Sequence, residues 1–192
     1  MSEKTCVAKS TLYIAVAVSL LAGFLAGVVY TIYNAPAKVE QAQTQAPGSR
    51  QAARITQLEK LTKQHPDDAE SWTNLGHAYF DANQCTQAIT AYNKSLDIRP
   101  GNADLLTDLG VMYRRNHQPQ KAIEAFNRAI KENPQHEQAR FNKGVILLND
   151  LHDPAGAVRV WEGLLQLNPQ VRLPSGPPLT ELIQKIKKQQ KK

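Results

Sequence analysis

AESWTNLGHAYFDANQCTQAITAYNKSLDIRPGN, residues 69–102, runs directly into ADLLTDLGVMYRRNHQPQKAIEAFNRAIKENPQH, residues 103–136. Laid over one another, these 34-residue stretches pair Trp72 with Leu106, Leu75 with Leu109, Gly76 with Gly110 and Tyr79 with Tyr113. Further on they pair Ala88 with Ala122, Tyr92 with Phe126, Ser95 with Ala129 and Pro100 with Pro134. A third stretch from Glu137 continues with Arg140, Lys143, Gly144 and Leu147. After one inserted residue near Asp153-Pro154 it gives Ala157, Trp161, Leu164 and Pro169. Upstream, Ile55, Leu58, Leu61 and Pro66 fit the second half of another unit.

Self-similarity at a fixed period of this length is the mark of a repeat array. Each unit reads as two helices joined by a polar turn, Asp81-Ala82-Asn83-Gln84 in the first and Arg115-Asn116-His117-Gln118 in the second. Gly76, Gly110 and Gly144 fall inside helices, at a cost of about 1 kcal/mol each against alanine. A recurring cost of that kind predicts a close approach of two helices there, with Ala88, Ala122 and Ala157 as the small partners. Pro100, Pro134 and Pro169 end the second helices, since proline lacks the N–H and crowds the preceding turn. The units span 69–102, 103–136 and 137–171, and none buries its apolar face alone, so stacking creates the core. Past Pro177-Pro178, Leu179, Leu182, Ile183 and Ile186 mark an amphipathic helix over 178–188. Its expected role is to close the open end of the stack; a lysine-rich helix lying on anionic lipid is the alternative.

The pattern closely resembles the tetratricopeptide repeat (TPR) family over roughly residues 55–169. The resemblance implies an all-α solenoid of about three helical hairpins, with a half-repeat before them and a capping helix after. It also implies a peptide-binding groove lined by the first helix of each unit. The family's variable groove positions fall on Glu70, Thr73, Asn74, His77, Phe80 and Asp81, and on Asp104, Thr107, Asp108, Val111, Arg114 and Arg115. In the third unit they are Gln138, Phe141, Asn142, Val145, Leu148 and Asn149. The site residues expected from these are Asn74, His77, Phe80, Asp108, Val111, Arg114, Arg115, Phe141, Asn142, Val145 and Leu148. Phe141, Val145 and Leu148 share one helix face and suit an apolar or helical peptide. Arg114 and Arg115 either pair with a partner carboxylate or are a solvated helix end that favours the dipole. The full lysine–asparagine–arginine clamp of chaperone-binding relatives is not present.

Thr11 to Tyr33 is an uncharged run of 23 residues. As a helix it would reach roughly 34 Å, enough for a bilayer core. With Lys4 and Lys9 before it and only Lys38 close behind, the charge bias predicts residues 1–10 in the cytoplasm and a single transmembrane helix over 11–33. The repeats would then stand on the periplasmic side of a bacterial inner membrane. Ser19, Gly23 and Gly27 put small residues on one face of that helix, suited to pairing and hence to a homodimer through the membrane. Residues 34–53 have no apolar period and read as a linker, leaving 54–192 as the repeat domain.

The formal charge of +6 is unevenly placed. Residues 54–178 hold 14 basic and 14 acidic side chains, while residues 179–192 set five lysines against Glu181. A neutral body lacks the basic face that nucleic-acid binding requires, so nucleic acid is excluded as a partner. Two cysteines, Cys6 and Cys85, exclude a disulfide framework or a multi-cysteine metal site. His136-Glu137 opens like a zinc-protease motif, but Arg140 stands where the second histidine belongs. No catalytic residue, metal site or cofactor is expected, and the chain is not expected to be an enzyme. It is expected to hold a protein or peptide partner, with the bilayer as the second contact through residues 11–33. The order of anchor, linker and repeats resembles membrane-bound TPR subunits of cytochrome c biogenesis; a periplasmic helper in secretion, envelope or pilus assembly is the alternative.

Overall fold

The computed structural model of the chain describes residues 23–25, 30, 47–174 and 176–190. Residues 47–192 form one compact unit. Its helices are α1 (Pro47–Gln64), α2 (Ala69–Asp81), α3 (Cys85–Ile98), α4 (Ala103–Arg115), α5 (Pro119–Glu132), α6 (Glu137–Asn149), α7 (Pro154–Leu167) and α8 (Leu179–Gln190). Helices α2–α3, α4–α5 and α6–α7 pack as hairpins, and each second helix also packs on the first helix of the next hairpin.

The local chemistry repeats with the period. Asp68, Asn102 and His136 are the N-caps of α2, α4 and α6, each accepting backbone N–H bonds from the first turn of its helix. Such caps satisfy amides that have no partner inside the helix. Asn83, His117 and His152 carry the positive φ that reverses each hairpin, at 54°, 55° and 52°. The inserted residue of the third unit is absorbed in that turn. Gln84 N–H bonds Tyr79 O and Gln118 N–H bonds Tyr113 O, whereas in the third hairpin Asp153 N–H reaches Leu147 O, one residue further back.

The helical glycines make room for a different neighbour than the sequence suggested. A Cβ on Gly76 would run into the Tyr92 ring, one on Gly110 would sit 2.7 Å from the Phe126 ring, and one on Gly144 would meet Trp161. Each glycine is a notch for the aromatic residue of the second helix. Ala88, Ala122 and Ala157 are fully buried but do not fill the notch. Overpacking a notch of this kind typically costs about 1–3 kcal/mol.

Helix α1 starts at Pro47, inside the stretch read as linker. Polar contacts hold its first turns: Gln51 Nε2 donates to Ala78 O at 2.6 Å, and Arg54 Nη1 to Asp81 Oδ2 at 3.4 Å. Apolar periodicity carries no trace of such bonds. Further along, Ile55 is buried and Leu58 packs against the core. At the other end the chain turns back through Leu173 N–H to Pro177 O and Leu179 N–H to Val171 O, 2.8 and 2.9 Å. This seats α8 with Leu179, Ile183 and Ile186 buried against α7.

The expected placement as a single-pass inner-membrane protein is corrected: among the described residues no helix is long and apolar enough to cross a membrane. A long uncharged run meets the length requirement for a span, but length alone does not establish one. Of residues 11–33, only Gly23, Phe24, Leu25 and Tyr30 are described; they are helical and exposed. A Cβ on Gly23 would meet open space. Ser19 and Gly27, and with them the proposed helix pairing, lie outside the described residues.

Candidate functional site: the face of the first helices

Helices α2, α4 and α6 present their groove positions side by side, and cross-links between neighbouring helices organise the face. His77 on α2 lies 3.4 Å from Asp108 Oδ2 on α4, and its ring meets Tyr92 edge-on with centroids 5.6 Å apart. One turn further, the Arg115 guanidinium lies 4.6 Å above the Phe80 ring. A cation over an aromatic face is held electrostatically by the ring quadrupole. Arg115 is exposed and has no carboxylate partner among the described residues. Arg114 differs: its Nε donates to Asp150 Oδ2 at 2.8 Å, linking α4 to the end of α6.

Below this face lies Tyr92, fully buried, with a hydroxyl that has no hydrogen-bond partner among the described residues. Burial pushes its ionisation well above the ordinary tyrosine range; the carboxylates of Asp108 and Asp81 add to that and Arg115 opposes it. A buried, unpaired hydroxyl costs roughly 1–3 kcal/mol, so this corner of the fold is under-satisfied.

The expected site residues therefore separate into groups. His77, Phe80, Asp108 and Arg115 are brought together across α2 and α4. Asn74 is exposed, and Val111 is half-buried against the core of the first two hairpins. Phe141, Val145 and Leu148 are half-buried against the apolar cluster of α7 and α8, with Phe141 stacked obliquely on Trp161 at 6.2 Å. Part of the stripe that suggested peptide binding thus packs inside the protein. Asn142 sits half-buried among these residues on α6.

Two departures from the repeat find their reason here. Arg140 replaces the tryptophan of the first unit yet keeps its bond: Trp72 Nε1 donates to Pro66 O at 2.8 Å, and Arg140 Nη2 to Pro134 O at 2.7 Å. Lys143 reaches out to Asn127 Oδ1 on α5, 2.6 Å away. Burial lowers the basicity of its amine, and Arg140 adds to the effect.

His136 is buried: its Nδ1 accepts from Ala139 N–H and its Nε2 lies 3.0 Å from Asp104 Oδ1. The signal was present in the period, because His136 follows Asp68 and Asn102 at the same place before a helix, where a capping acceptor is wanted. Cys85 is a free, half-buried thiol at the first residue of α3. Among the described residues no group of three or more His, Cys, Asp or Glu side chains is arranged to hold a metal ion.

Stacked helical hairpins with cross-links between their first helices define a helical-repeat protein. Tetratricopeptide repeats are found within residues 76–136: the family model described as TPR repeat matches residues 76–116, and the one described as tetratricopeptide repeat matches residues 103–136. No curated protein matches the sequence. Among solved structures, a crystal structure of MamA is similar at 22% identity and TM-score 0.58, over 66% of this chain and 77% of that one. MamA 41-end from Desulfovibrio magneticus RS-1 is similar at 19% identity and TM-score 0.59, over 63% and 68%. The first TPR of Spaghetti (RPAP3), bound to the HSP90 peptide SRMEEVD, is similar at 25% identity and TM-score 0.54, over 65% and 94%. Proteins built of such repeats are generally non-catalytic scaffolds for protein–protein interaction.

Proposed function

We propose that the face of α2, α4 and α6 binds a peptide segment of a partner protein, with its polar anchor at the first two hairpins. The observation that carries this reading is Arg115, held over Phe80 and without a carboxylate partner among the described residues. Its side chain is already ordered, so pairing with an acidic side chain or chain terminus loses less rotamer entropy than a free arginine would. Asn74, His77 and Asp108 offer hydrogen bonds beside it, and Val111 an apolar contact. Arg114 contributes through Asp150, by fixing the end of α6. Phe141, Asn142, Val145 and Leu148 supply the apolar part of the floor with whatever surface α7 and α8 leave open. The peptide-bound structure of the first TPR of Spaghetti supports a peptide as the ligand class.

The likeness to cytochrome c biogenesis subunits, and the alternative in secretion or envelope assembly, rested on an anchor and linker ahead of the repeats. Among the described residues no helix is long and apolar enough to be that anchor. The test is a peptide array probed with the full chain, then calorimetry on the peptides retained. Arg115→Glu should abolish binding of acidic peptides at low salt, and the loss should shrink as salt screens the charge. The control Lys94→Glu should bind as wild type. If Arg115→Glu also binds as wild type, the face is not the site.

A further inference from the structure

The junction between the second and third hairpins holds an imidazole. His136 Nε2 lies 3.0 Å from Asp104 Oδ1 and 3.5 Å from Thr107 Oγ1. Thr107 Oγ1 donates to Ala103 O, which leaves its lone pairs toward that nitrogen. Because Nδ1 accepts from Ala139 N–H, the ring proton belongs on Nε2.

One period earlier the same place is open. A cavity of about 160 Å³ lies between the first and second hairpins, lined by Glu70, Thr73, Ser95, Arg99, Asn102 and Leu105. Its walls repeat those around His136: Glu70 stands for Asp104, Thr73 for Thr107, Leu105 for Ala139, and Asn102 for His136 itself. Thr73 Oγ1 is bonded to Ala69 O as Thr107 is to Ala103 O, and it also shares a hydrogen bond of 2.7 Å with Ser95 Oγ, where the other junction has Ala129; one lone pair of Thr73 Oγ1 is left for a ligand. Asn102 is too short to fill the space, and its side chain is occupied in capping α4 through Leu105 N–H at 3.0 Å. Glu70 has no ion-pair partner among the described residues.

We propose that this cavity receives the imidazole of a histidine carried by the partner polypeptide, held by Glu70 and Thr73 as His136 is held by Asp104 and Thr107. Above the ordinary histidine range the ring is neutral and donates its N–H to the Glu70 carboxylate. The proposal rests on the peptide-binding reading only in that a peptide carries the histidine; free imidazole tests the cavity by itself.

The experiment titrates imidazole into the isotope-labelled full chain at pH 8, above the ordinary histidine range of about 6.5. Saturable shifts are expected at the Thr73 and Leu105 amides, and none at Thr107 and Ala139, where the place is filled. Glu70→Ala should weaken binding at least tenfold. Asn102→His should plug the cavity from within and abolish the response; His136 shows that a histidine can cap a helix at this position. Absence of saturable shifts, equal response at both junctions, or an unchanged response in Asn102→His would each overturn the proposal. If imidazole fails to bind while acidic peptides still depend on Arg115, only the cavity is withdrawn and the peptide face stands.

Discussion

The first two hairpins share one apolar core, which runs from Ile55 on α1 through Tyr92, Leu106 and Phe126 to Ile146 on α6. The third hairpin and α8 enclose a separate one around Trp161, Leu164, Leu179 and Ile183. The backbone plan of the two regions is the same, notch for notch and cap for cap. What differs is the filling of the first helix. Where α2 and α4 carry Trp72, Leu75, Leu106 and Leu109, α6 carries Arg140 and Lys143, whose stems pack while their heads leave for Pro134 O and Asn127. A stack is coupled through its neighbouring surfaces, so a polar seam divides the core without breaking the array.

The largest effect that would test this division is Trp161→Ala. Removing a large buried aromatic ring costs about 3–5 kcal/mol. With separate cores, hydrogen exchange should quicken across α6, α7 and α8 while α2 to α5 stay protected. Uniform loss of protection would mean that the two regions melt as one. A smaller effect of opposite sign is expected for Lys143→Leu, which restores the apolar residue of the other units. It should stabilise the chain by about 0.5–2 kcal/mol and sharpen its thermal transition; a lower melting temperature would show that the bond to Asn127 outweighs the regained core.

The smallest effect concerns the far end of the first region. Tyr79 donates its hydroxyl to Glu59 Oε1 on α1 at 2.5 Å, and burial followed by that bond pushes its ionisation up to about 12. The folded state therefore holds this proton more tightly than the unfolded chain, where the value is about 10. The resulting stability is present in full below about pH 10 and is lost as pH rises from there through about 12. Over that window exchange should quicken in α1 before it does in α7 and α8, and Tyr79→Phe should flatten the dependence. An unchanged pH profile in Tyr79→Phe would remove the tyrosine as its source.

How far the sequence could be read follows from what each contact depends on. The hairpins were legible because Gly76, Gly110 and Gly144 recur with Pro100, Pro134 and Pro169, and apolar burial imposes that period. The partner of each glycine was misread, because a missing side chain shows that something comes close but not which neighbour does. The start of α1 at Pro47 was missed because Gln51 and Arg54 hold it with polar bonds. On the inner face, the groove positions could be located but not their commitments. Arg114 and Arg115 look alike in sequence, yet one is tied to Asp150 and the other lies over the Phe80 ring, a difference set by the end of α6, 35 residues away from Arg115. The buried hydroxyl of Tyr92 was hidden for a similar reason: the residue fits the repeat through its ring alone.

The division of the core also bears on the order in which the chain can fold as it is made. Every residue of the first core lies at or before Ile146, and Leu151 is the last side chain packed against it. Trp161 follows Leu151 by 10 residues. At cellular rates of about 5–20 residues per second these take roughly 0.5–2 s, far longer than a helical hairpin needs to form. The N-terminal hairpins can therefore complete their interior before Trp161 has left the ribosome. During that interval the face bearing His77, Phe80 and Arg115 already exists, and a partner can engage it while the second core is still being translated.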